Sequence, residues 1–190
     1  MAKELRFDGK VAIVTGAGNG LGRSHALLLA ARGAKVVVND LGGGIDGAGQ
    51  SSKAADLVVS DIKAAGGEAA ANYDSVVDGD KIVQTAMDSF GKIDIIINNA
   101  GILRDTSFKN MTPDQLNPVL DVHLRGAFYV TQPAWQLMRD QNYGRVVNTS
   151  SGDGALSHGG ERAAGARAGG ACGRRAPRLG RAAGAGVGGG

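Results

Sequence analysis

The chain has little of what an extracellular or membrane protein needs. Among its 190 residues there is one cysteine, Cys172, so no disulfide can form within the chain. No apolar run approaches the roughly 20 residues that span a bilayer, and the opening segment MAKELRFDGK is too polar for a secretory signal. These absences predict a soluble, intracellular protein with no membrane partner.

Metal and nucleic-acid binding also find little support. The three histidines, His25, His123 and His158, are separated from one another and from the cysteine, so no metal-ligand spacing occurs. Six arginines lie among glycines near the end of the chain, where they could follow the phosphates of an RNA, but no aromatic residue accompanies them to stack on bases. We therefore expect no metal site and no nucleic-acid partner.

The composition of the chain changes near residue 152. Of the 34 residues from Ser157 to Gly190, 27 are Gly, Ala or Arg, with six Arg and one Glu. This stretch carries a charge of +5 in a chain of net charge +3, so the remainder carries −2. A segment this poor in large apolar side chains cannot offset the entropy lost on folding. The sequence predicts a folded domain over residues 1–152 and a disordered, low-complexity Gly/Ala/Arg tail over 153–190.

Apolar β-branched runs alternate with Ala- and Leu-rich stretches before the tail. Several runs lack polar alternation, which predicts strands buried on both faces of a parallel sheet. The predicted strands are Val11–Thr15, Lys35–Asn39, Glu68–Tyr73, Ile93–Asn98 and Arg145–Thr149. The predicted helices are Leu21–Arg32, Lys53–Ala65, Gly79–Phe90 and Thr112–Met138, the last with a break near Pro118 or Pro133. This order predicts an α/β fold with a Rossmann-like doubly wound parallel sheet, truncated after its fifth strand.

A glycine-rich turn, TGAGNGLG from Thr15 to Gly22, follows the first predicted strand. Glycines let the backbone approach a pyrophosphate, and the helix that follows offers free N–H groups and the positive end of its dipole. A tight connector is the alternative interpretation of such a turn. Its place between a buried strand and a helix, with an acidic residue ending the next strand, favours dinucleotide binding.

That acidic residue, Asp40, bears on the choice of cofactor. A carboxylate there can accept both ribose hydroxyls of NAD, whereas the 2′-phosphate of NADP would be repelled by roughly 4 kcal/mol at a separation of about 4 Å, before screening. NAD is therefore the expected cofactor. The alternative is that Asp40 only forms the turn before Leu41-Gly42-Gly43-Gly44.

Four ordered motifs resemble the short-chain dehydrogenase/reductase family. They are the glycine turn, Asp74 with Val76 after the third strand, Asn98-Asn99-Ala100-Gly101 after the fourth, and Asn148-x-Ser150-Ser151 after the fifth. Over residues 5–152 the chain further resembles the (3R)-hydroxyacyl-CoA dehydrogenase branch found in type 2 peroxisomal multifunctional enzymes, through segments such as INNAGILRDTSF and VHLRGAFYVT.

The resemblance implies roles for residues at the carboxyl ends of the strands, where ligands of such sheets bind. It implies that the loop around Leu21 lies on the pyrophosphate and that Asp40 holds the adenosine ribose. Ser75–Val76 would border the adenine, and Asn99 would lie beside the nicotinamide ribose. For Asn98 and Asn99 the alternative is hydrogen bonding to the backbone of neighbouring strand ends. The expected cofactor-binding residues are Thr15, Gly16, Gly18, Gly20, Leu21, Gly22, Asp40, Asp74, Ser75, Val76, Asn99, Ala100 and Gly101.

Two catalytic candidates come from the same resemblance. Ser151 matches the family serine that hydrogen-bonds the reacting oxygen of the substrate, although a lone serine after a strand is otherwise a turn or capping residue. His123 lies where most of the family has an Asn that helps to organise a proton-relay water, and a structural histidine is the alternative.

The family's general acid/base is missing from the sequence. Such enzymes use a Tyr whose pKa is lowered by a Lys one helical turn later. The resemblance places this pair at positions 164 and 168, where the chain has Ala164 and Ala168. None of the three tyrosines, Tyr73, Tyr129 and Tyr143, is followed by Lys four residues later.

The residues and the resemblance together predict an NAD-dependent oxidoreductase of the (3R)-3-hydroxyacyl-CoA dehydrogenase type, acting on an acyl-CoA-type substrate and inactive as written. The alternatives are an enzyme like the 3-oxoacyl carrier-protein reductases, disfavoured by Asp40, and a non-catalytic nucleotide-binding remnant. The family implies homodimers for full-length relatives, in the peroxisome of a eukaryote or the cytoplasm of a bacterium.

Overall fold

A computed structural model describes residues 4–44, 47 and 51–150, and in it five parallel strands form one sheet. The strands are β1 (Val11–Thr15), β2 (Lys35–Asn39), β3 (Ala69–Asn72), β4 (Ile95–Asn98) and β5 (Arg145–Asn148). Their order across the sheet is β3-β2-β1-β4-β5, so the sheet grows in opposite directions from β1. The predicted doubly wound parallel sheet is confirmed. The predicted tail lies outside the described residues.

Helices cover both faces of this sheet. They are α1 (Gly20–Ala31), α2 (Lys53–Ala64), α3 (Gly79–Phe90), α4 (Pro113–Leu120) and α5 (Gly126–Asp140). Short 3-10 turns lie at Val76–Asp78 and Phe108–Asn110, and a π-helical turn, Asp121–Arg125, joins α4 to α5. Within the described residues, no helix is long and apolar enough to cross a membrane, and no cluster of His, Cys, Asp or Glu could hold a metal ion.

The central strands are buried on both faces, which explains their lack of polar alternation. In β1, Ala12 and Val14 join an apolar cluster with α1 and α2, whereas Val11 and Ile13 join a second cluster with α3 and α5. All five residues of β1 are buried. The successive side chains of a strand point to opposite faces, so each of the three central strands, β2, β1 and β4, supplies both cores.

The last predicted helix, Thr112–Met138, is interrupted near Pro118, by a π-helical turn that begins at Asp121. Pro118 lies inside α4 and Pro133 inside α5, and the break is the π-helical turn between them. Pro133 has no N–H to donate to the carbonyl of Tyr129, four residues earlier. Gly79 of α3 packs against that carbonyl, and a Cβ on Gly79 would collide with its oxygen. The proline therefore leaves α5 intact and accompanies a close contact between α3 and α5.

A buried carboxylate fastens the amino ends of three strands. The side chain of Asp94 accepts hydrogen bonds from the Val11 N–H at 2.9 Å and from the ammonium groups of Lys10 at 3.2 Å and Lys92 at 3.0 Å. Its carbonyl accepts the N–H of Arg145 at 2.9 Å. Burial alone would raise the pKa of Asp94, but the Val11 N–H and the two ammonium groups outweigh it and hold that pKa below its ordinary value.

Candidate cofactor site

The described members of the predicted cofactor-binding set lie at one edge of the sheet. Thr15 ends β1, Asp40 follows β2, Asp74 follows β3 and Asn99 follows β4, so all four stand at carboxyl ends of parallel strands. This edge, at the strands on either side of the reversal in sheet order, is where doubly wound folds bind their ligands.

Thr15 connects the glycine turn to the loop after β4. Its side chain is buried, and its Oγ1 accepts the N–H groups of Asn99 and Ala100, both at 3.0 Å. In return, the side-chain Nδ2 of Asn99 donates to the carbonyls of Thr15 and Gly16, both at 3.1 Å. Hydrogen bonds to the backbone therefore occupy Asn99, as the alternative interpretation expected, and they hold the glycine turn and the loop after β4 together.

The glycines of the turn are needed for two different reasons. Gly16 has φ +60°, and a Cβ there would lie 2.8 Å from the Cα of Ala100. Gly20 has φ +54° in open surroundings, so its conformation alone favours glycine. A Cβ on Gly22 would lie 2.5 Å from Nδ2 of Asn99 and would collide with the carbonyl of Gly16. The turn thus packs directly against the loop after β4.

The first turn of α1 is open to a ligand. Its N-cap residue, Asn19, makes no side-chain capping bond, and the first turn holds no acidic residue. The free N–H groups of such a helix end suit an anion such as a pyrophosphate. Leu21, in the same turn, leaves 65% of its surface exposed, so an apolar side chain stands beside those donors.

Asp40 joins the glycine turn to the loop after β2. Its Oδ2 accepts the N–H of Gly18 at 2.7 Å, and its Oδ1 accepts the N–H of Gly42 at 2.7 Å. The bond to Gly42 closes the turn that the alternative interpretation expected. The bond to Gly18 goes further, because it places the carboxylate against the glycine turn. Each carboxylate oxygen keeps a second lone pair for a ribose hydroxyl.

Gly18 leaves room for this carboxylate. A Cβ on Gly18 would lie 2.7 Å from Oδ2 of Asp40 and 2.6 Å from Cβ of Ala54. Any larger residue at this position would therefore displace the carboxylate or the start of α2.

Four polar or charged side chains are buried among the described residues, and three of them lie at this edge: Thr15, Asn39 and Asn72. Asn39 and Asn72 are paired across β2 and β3, and neither was among the residues expected from the sequence. The Nδ2 of Asn39 donates to Oδ1 of Asn72 at 2.7 Å and to the carbonyl of Asp74 at 2.8 Å. The sequence did contain a signal for these two residues, because each asparagine ends a strand directly after three apolar residues.

The two residues expected beside the adenine have different surroundings. Ser75 begins the 3-10 turn after β3, where its Oγ accepts the N–H of Val77 at 3.4 Å. Val76 is buried and packs against Gly126 of α5, where a Cβ would lie 2.5 Å from its Cγ2. The side chain of Val76 therefore belongs largely to the core under α3 and α5.

Asn98 forms a second polar cluster between β4, β5 and α5. Its Nδ2 donates to Oγ1 of Thr131 at 3.1 Å and to Oδ1 of Asn148 at 2.9 Å. The Thr149 N–H donates to the carbonyl of Asn98 at 3.0 Å, and Oγ1 of Thr149 donates to Asn99 at 3.4 Å. The chain therefore leaves β5 at the same edge as the other candidate residues. Ser151 itself lies outside the described residues.

His123 lies in the π-helical turn and contacts the loop after β4. Its Nε2 is 3.1 Å from the N atom of Ile102 and 2.7 Å from its carbonyl oxygen, so the ring accepts or donates according to its tautomer. This contact supports the structural alternative for His123. Ile102 directly follows Gly101, which is exposed.

None of the three tyrosines has the surroundings of a general base. The hydroxyl of Tyr73 donates to Asp56, which raises the pKa of Tyr73. Tyr143 lies at the opposite, amino end of the sheet, with Nζ of Lys10 3.5 Å from its ring centre. Tyr129 stands in α5 and has no Lys four residues later. Among the described residues, no tyrosine replaces the missing acid/base.

Comparisons with known proteins agree with this geometry. A family model described as short chain dehydrogenase matches residues 10–166, which includes Ala164. The chain is 55% identical over 161 residues to the peroxisomal hydratase-dehydrogenase-epimerase of Neurospora crassa. The matched region covers 85% of this chain but 18% of that protein. The chain therefore spans a minor part of the length of this curated relative.

Two solved structures share the fold. Full-length peroxisomal multifunctional enzyme type 2 from Drosophila melanogaster matches with a TM-score of 0.70 and 47% identity, over 86% of this chain and 26% of that one. A 7α-hydroxysteroid dehydrogenase complexed with NADH and 7-oxo glycochenodeoxycholic acid matches with a TM-score of 0.72 and 29% identity, over 80% of this chain and 57% of that one.

Proposed function

The chain belongs to the short-chain dehydrogenase family, and we propose that within it the chain is the NAD-binding part of a (3R)-3-hydroxyacyl-CoA dehydrogenase. Such an oxidoreductase moves a hydride between the CH–OH group of an acyl-CoA-type substrate and the nicotinamide, in fatty acid β-oxidation. The names of relatives that join a dehydrogenase to a hydratase or to other activities in the peroxisome support this substrate class.

One observation carries the cofactor proposal. The carboxylate of Asp40 accepts the N–H of Gly18, so an anionic acceptor stands against the turn that would hold the pyrophosphate. There it accepts the ribose hydroxyls of NAD and opposes the 2′-phosphate of NADP. Gly16, Gly18 and Gly22 let the turn pack against Ala100, Asp40 and Asn99, so the turn and the carboxylate are held together at the proposed site.

The remaining roles follow the positions at the sheet edge. The free N–H groups of α1 bind the pyrophosphate, with Leu21 covering it. Asp74 and Ser75 receive the adenine, and Asn99, Ala100 and Gly101 border the nicotinamide ribose. Ser151 polarises the reacting oxygen, and His123 helps to fix the loop after β4.

We further propose that the chain binds its cofactor but does not turn over substrate. Hydride transfer from an alcohol requires that its hydroxyl proton leave, and Ser151 alone cannot remove that proton. The chain has Ala164 and Ala168 at the positions of the acid/base and its partner. If the protein is eukaryotic, its compartment would be the peroxisome, and if it is bacterial, the cytoplasm. Full-length relatives would be homodimers.

A fluorescence titration with NADH and NADPH tests the proposal. We expect NADH to bind more tightly, by at least about tenfold if a third of the unscreened repulsion of roughly 4 kcal/mol is retained. Tighter binding of NADPH would contradict the assignment of Asp40 and would favour a 3-oxoacyl carrier-protein reductase. No binding of either dinucleotide would contradict the proposed function altogether.

A further inference from the structure

Asn72 contacts both acidic residues of the proposed adenosine side, Asp40 and Asp74, and is 4% exposed. Its Oδ1 accepts from Nδ2 of Asn39 at 2.7 Å and from the N–H of Asp74 at 3.1 Å. Its Nδ2 donates to Oδ2 of Asp74 at 2.7 Å and to Oγ1 of Thr85 at 2.9 Å. Two donated and two accepted bonds fill the main hydrogen-bonding positions of one amide.

These partners fix which way the amide of Asn72 faces. The backbone N–H of Asp74 can only donate, so the atom facing it must be the amide oxygen. The NH2 group then faces the Asp74 carboxylate, which can only accept. Oγ1 of Thr85 donates its own proton to the carbonyl of Lys81 at 3.0 Å, so it is free to accept from Asn72. Every bond of the network has one consistent direction.

The same residue contacts both acidic residues. The carbonyl of Asn72 accepts the backbone N–H of Asp40 at 3.0 Å, and its side chain holds the carboxylate of Asp74. The carboxylate of an Asp is loosely oriented by itself, because the terminal torsion of the side chain is broad. A bond from a buried, fully engaged amide to one oxygen removes that freedom and leaves the other oxygen directed elsewhere.

We propose that Asn72 is a positioning residue that aims the Asp74 carboxylate at the exocyclic amine of adenine. The inference rests on the proposed NAD binding. Oδ2 of Asp74 is held by Asn72, so Oδ1 is the acceptor for the amine, and Asn72 thereby sets the preference for adenine over a base that lacks this donor. Hypoxanthine is such a base, because it carries a carbonyl oxygen in place of the amine and would face the carboxylate with an acceptor.

The test compares two dinucleotides on the full chain, NADH and reduced nicotinamide hypoxanthine dinucleotide, by fluorescence titration. A hydrogen bond to a charged acceptor leads us to expect that the unaltered protein binds NADH about tenfold more tightly or better. In Asn72→Ser, whose shorter side chain cannot span to Asp74, this ratio should fall towards one. A smaller folded fraction affects both ligands alike, so the ratio reports on the base and not on stability.

The matched control is Thr85→Val, which removes the other acceptor of the same NH2 group but leaves the bond to Asp74. It should keep the ratio near that of the unaltered protein. In an Asp74→Ala background, Asn72→Ser should change the ratio no further, because the two residues act through one contact. Asn72→Ala serves as the second variant if Asn72→Ser does not fold.

The outcomes separate the inference from the proposed function. Equal binding of the two dinucleotides by the unaltered protein overturns the inference and leaves NAD binding standing. A loss of affinity in Asn72→Ser that is the same for both dinucleotides also overturns it, since that result describes a structural role. Failure of the unaltered protein to bind NADH contradicts the proposed function itself.

Discussion

The backbone N–H of Gly18 and the carboxylate of Asp40 are joined by a 2.7 Å hydrogen bond across the two loops that follow β1 and β2. Asp40 therefore has a structural task besides any contact with ribose. A carboxylate that already accepts two backbone N–H groups is held in one place, and its negative charge is held with it. The proposed cofactor preference and the shape of the glycine turn consequently depend on the same side chain.

Replacing Asp40 should separate these two tasks. In Asp40→Ala the repulsion of a 2′-phosphate disappears, so the ratio of NADPH to NADH dissociation constants should narrow towards one. The affinity for both cofactors should also fall, because Gly18 and Gly42 lose their acceptor. Fluorescence titration of both cofactors measures the two effects. The control is Asp88→Asn, which removes an exposed carboxylate on α3 and should leave the ratio unchanged. An unchanged ratio in Asp40→Ala would show that Asp40 does not select the cofactor.

A methyl group at position 18 should weaken cofactor binding. Gly18→Ala would place a Cβ 2.7 Å from Oδ2 of Asp40 and 2.6 Å from Cβ of Ala54, so the carboxylate or α2 must shift. We expect NADH affinity to fall by about tenfold or more, since a displaced charge-assisted hydrogen bond costs roughly 1.5–3 kcal/mol. The control is Gly91→Ala at the end of α3, where φ is +73° and no atom lies near the new Cβ. Gly91→Ala should lower the melting temperature but leave NADH affinity intact. An equal loss of NADH affinity in both variants would show that Gly18→Ala acts through stability.

Asp94 should make the protein sensitive to acid. Its pKa in the folded state is depressed below the ordinary value near 3.9. Its stabilising contribution is therefore complete above the unfolded pKa and is lost as the pH falls through the lower, folded one. We expect Asp94→Asn to lower the free energy of unfolding at pH 7 by about 2 kcal/mol, the scale of a hydrogen bond to a charged group.

Urea unfolding at several pH values checks this prediction. The difference in free energy of unfolding between the unaltered protein and Asp94→Asn should shrink as the pH falls below about 4. Protonation of Asp94 then removes the charge that the variant already lacks. Asp61→Asn is the control, since Asp61 pairs with Arg23 on the exposed surface at 2.8 Å and such pairs contribute little. A difference that stays constant down to low pH would show that the charge of Asp94 does not stabilise the fold.

Much of the fold could be predicted from the sequence, because burial on both faces leaves a strong local pattern. The bounds of β1, β2 and α3 match the prediction to the residue. The prediction extended β4 back to Ile93, but its pairing with β1 begins where Ala12 meets Ile95. The side chain of Asp94 turns instead to the Val11 N–H. A strand ends where its neighbours stop pairing, and no run of apolar residues records that point.

The candidate site was predictable only where the chemistry is local. The glycine turn and Asp40 follow from short motifs and one spacing. The network of Asn72 does not, because it joins residues of β2, β3 and α3 that lie far apart in the chain. The contact of His123 with Ile102 depends likewise on the π-helical turn between α4 and α5. Tertiary contacts decide such roles, and they leave no periodic signal.

The final prediction is that the chain does not turn over a (3R)-3-hydroxyacyl-CoA with NAD. General acid–base catalysis contributes about 10²–10⁴ to a rate, and the chain has Ala164 and Ala168 where the family resemblance places the acid/base pair. The surroundings of Tyr73 raise its pKa, so it cannot act as a substitute near neutral pH. We therefore expect NADH formation, followed by absorbance, to stay at the level of a sample without protein.

The turnover assay is decisive only on protein that binds cofactor, so NADH binding in the same preparation is its control. Bound NADH with no turnover is the expected pair of results, and it describes a nucleotide-binding protein that keeps its cofactor site without the proton-transfer group. Turnover at about 1 s⁻¹ or faster, the lower end of ordinary enzyme rates, would contradict the prediction. Another group would then have to move the proton. The rate of Ser151→Ala and the pH dependence of the rate would help to identify that group. A base with the pKa of a free tyrosine gives a rate that rises towards pH 10.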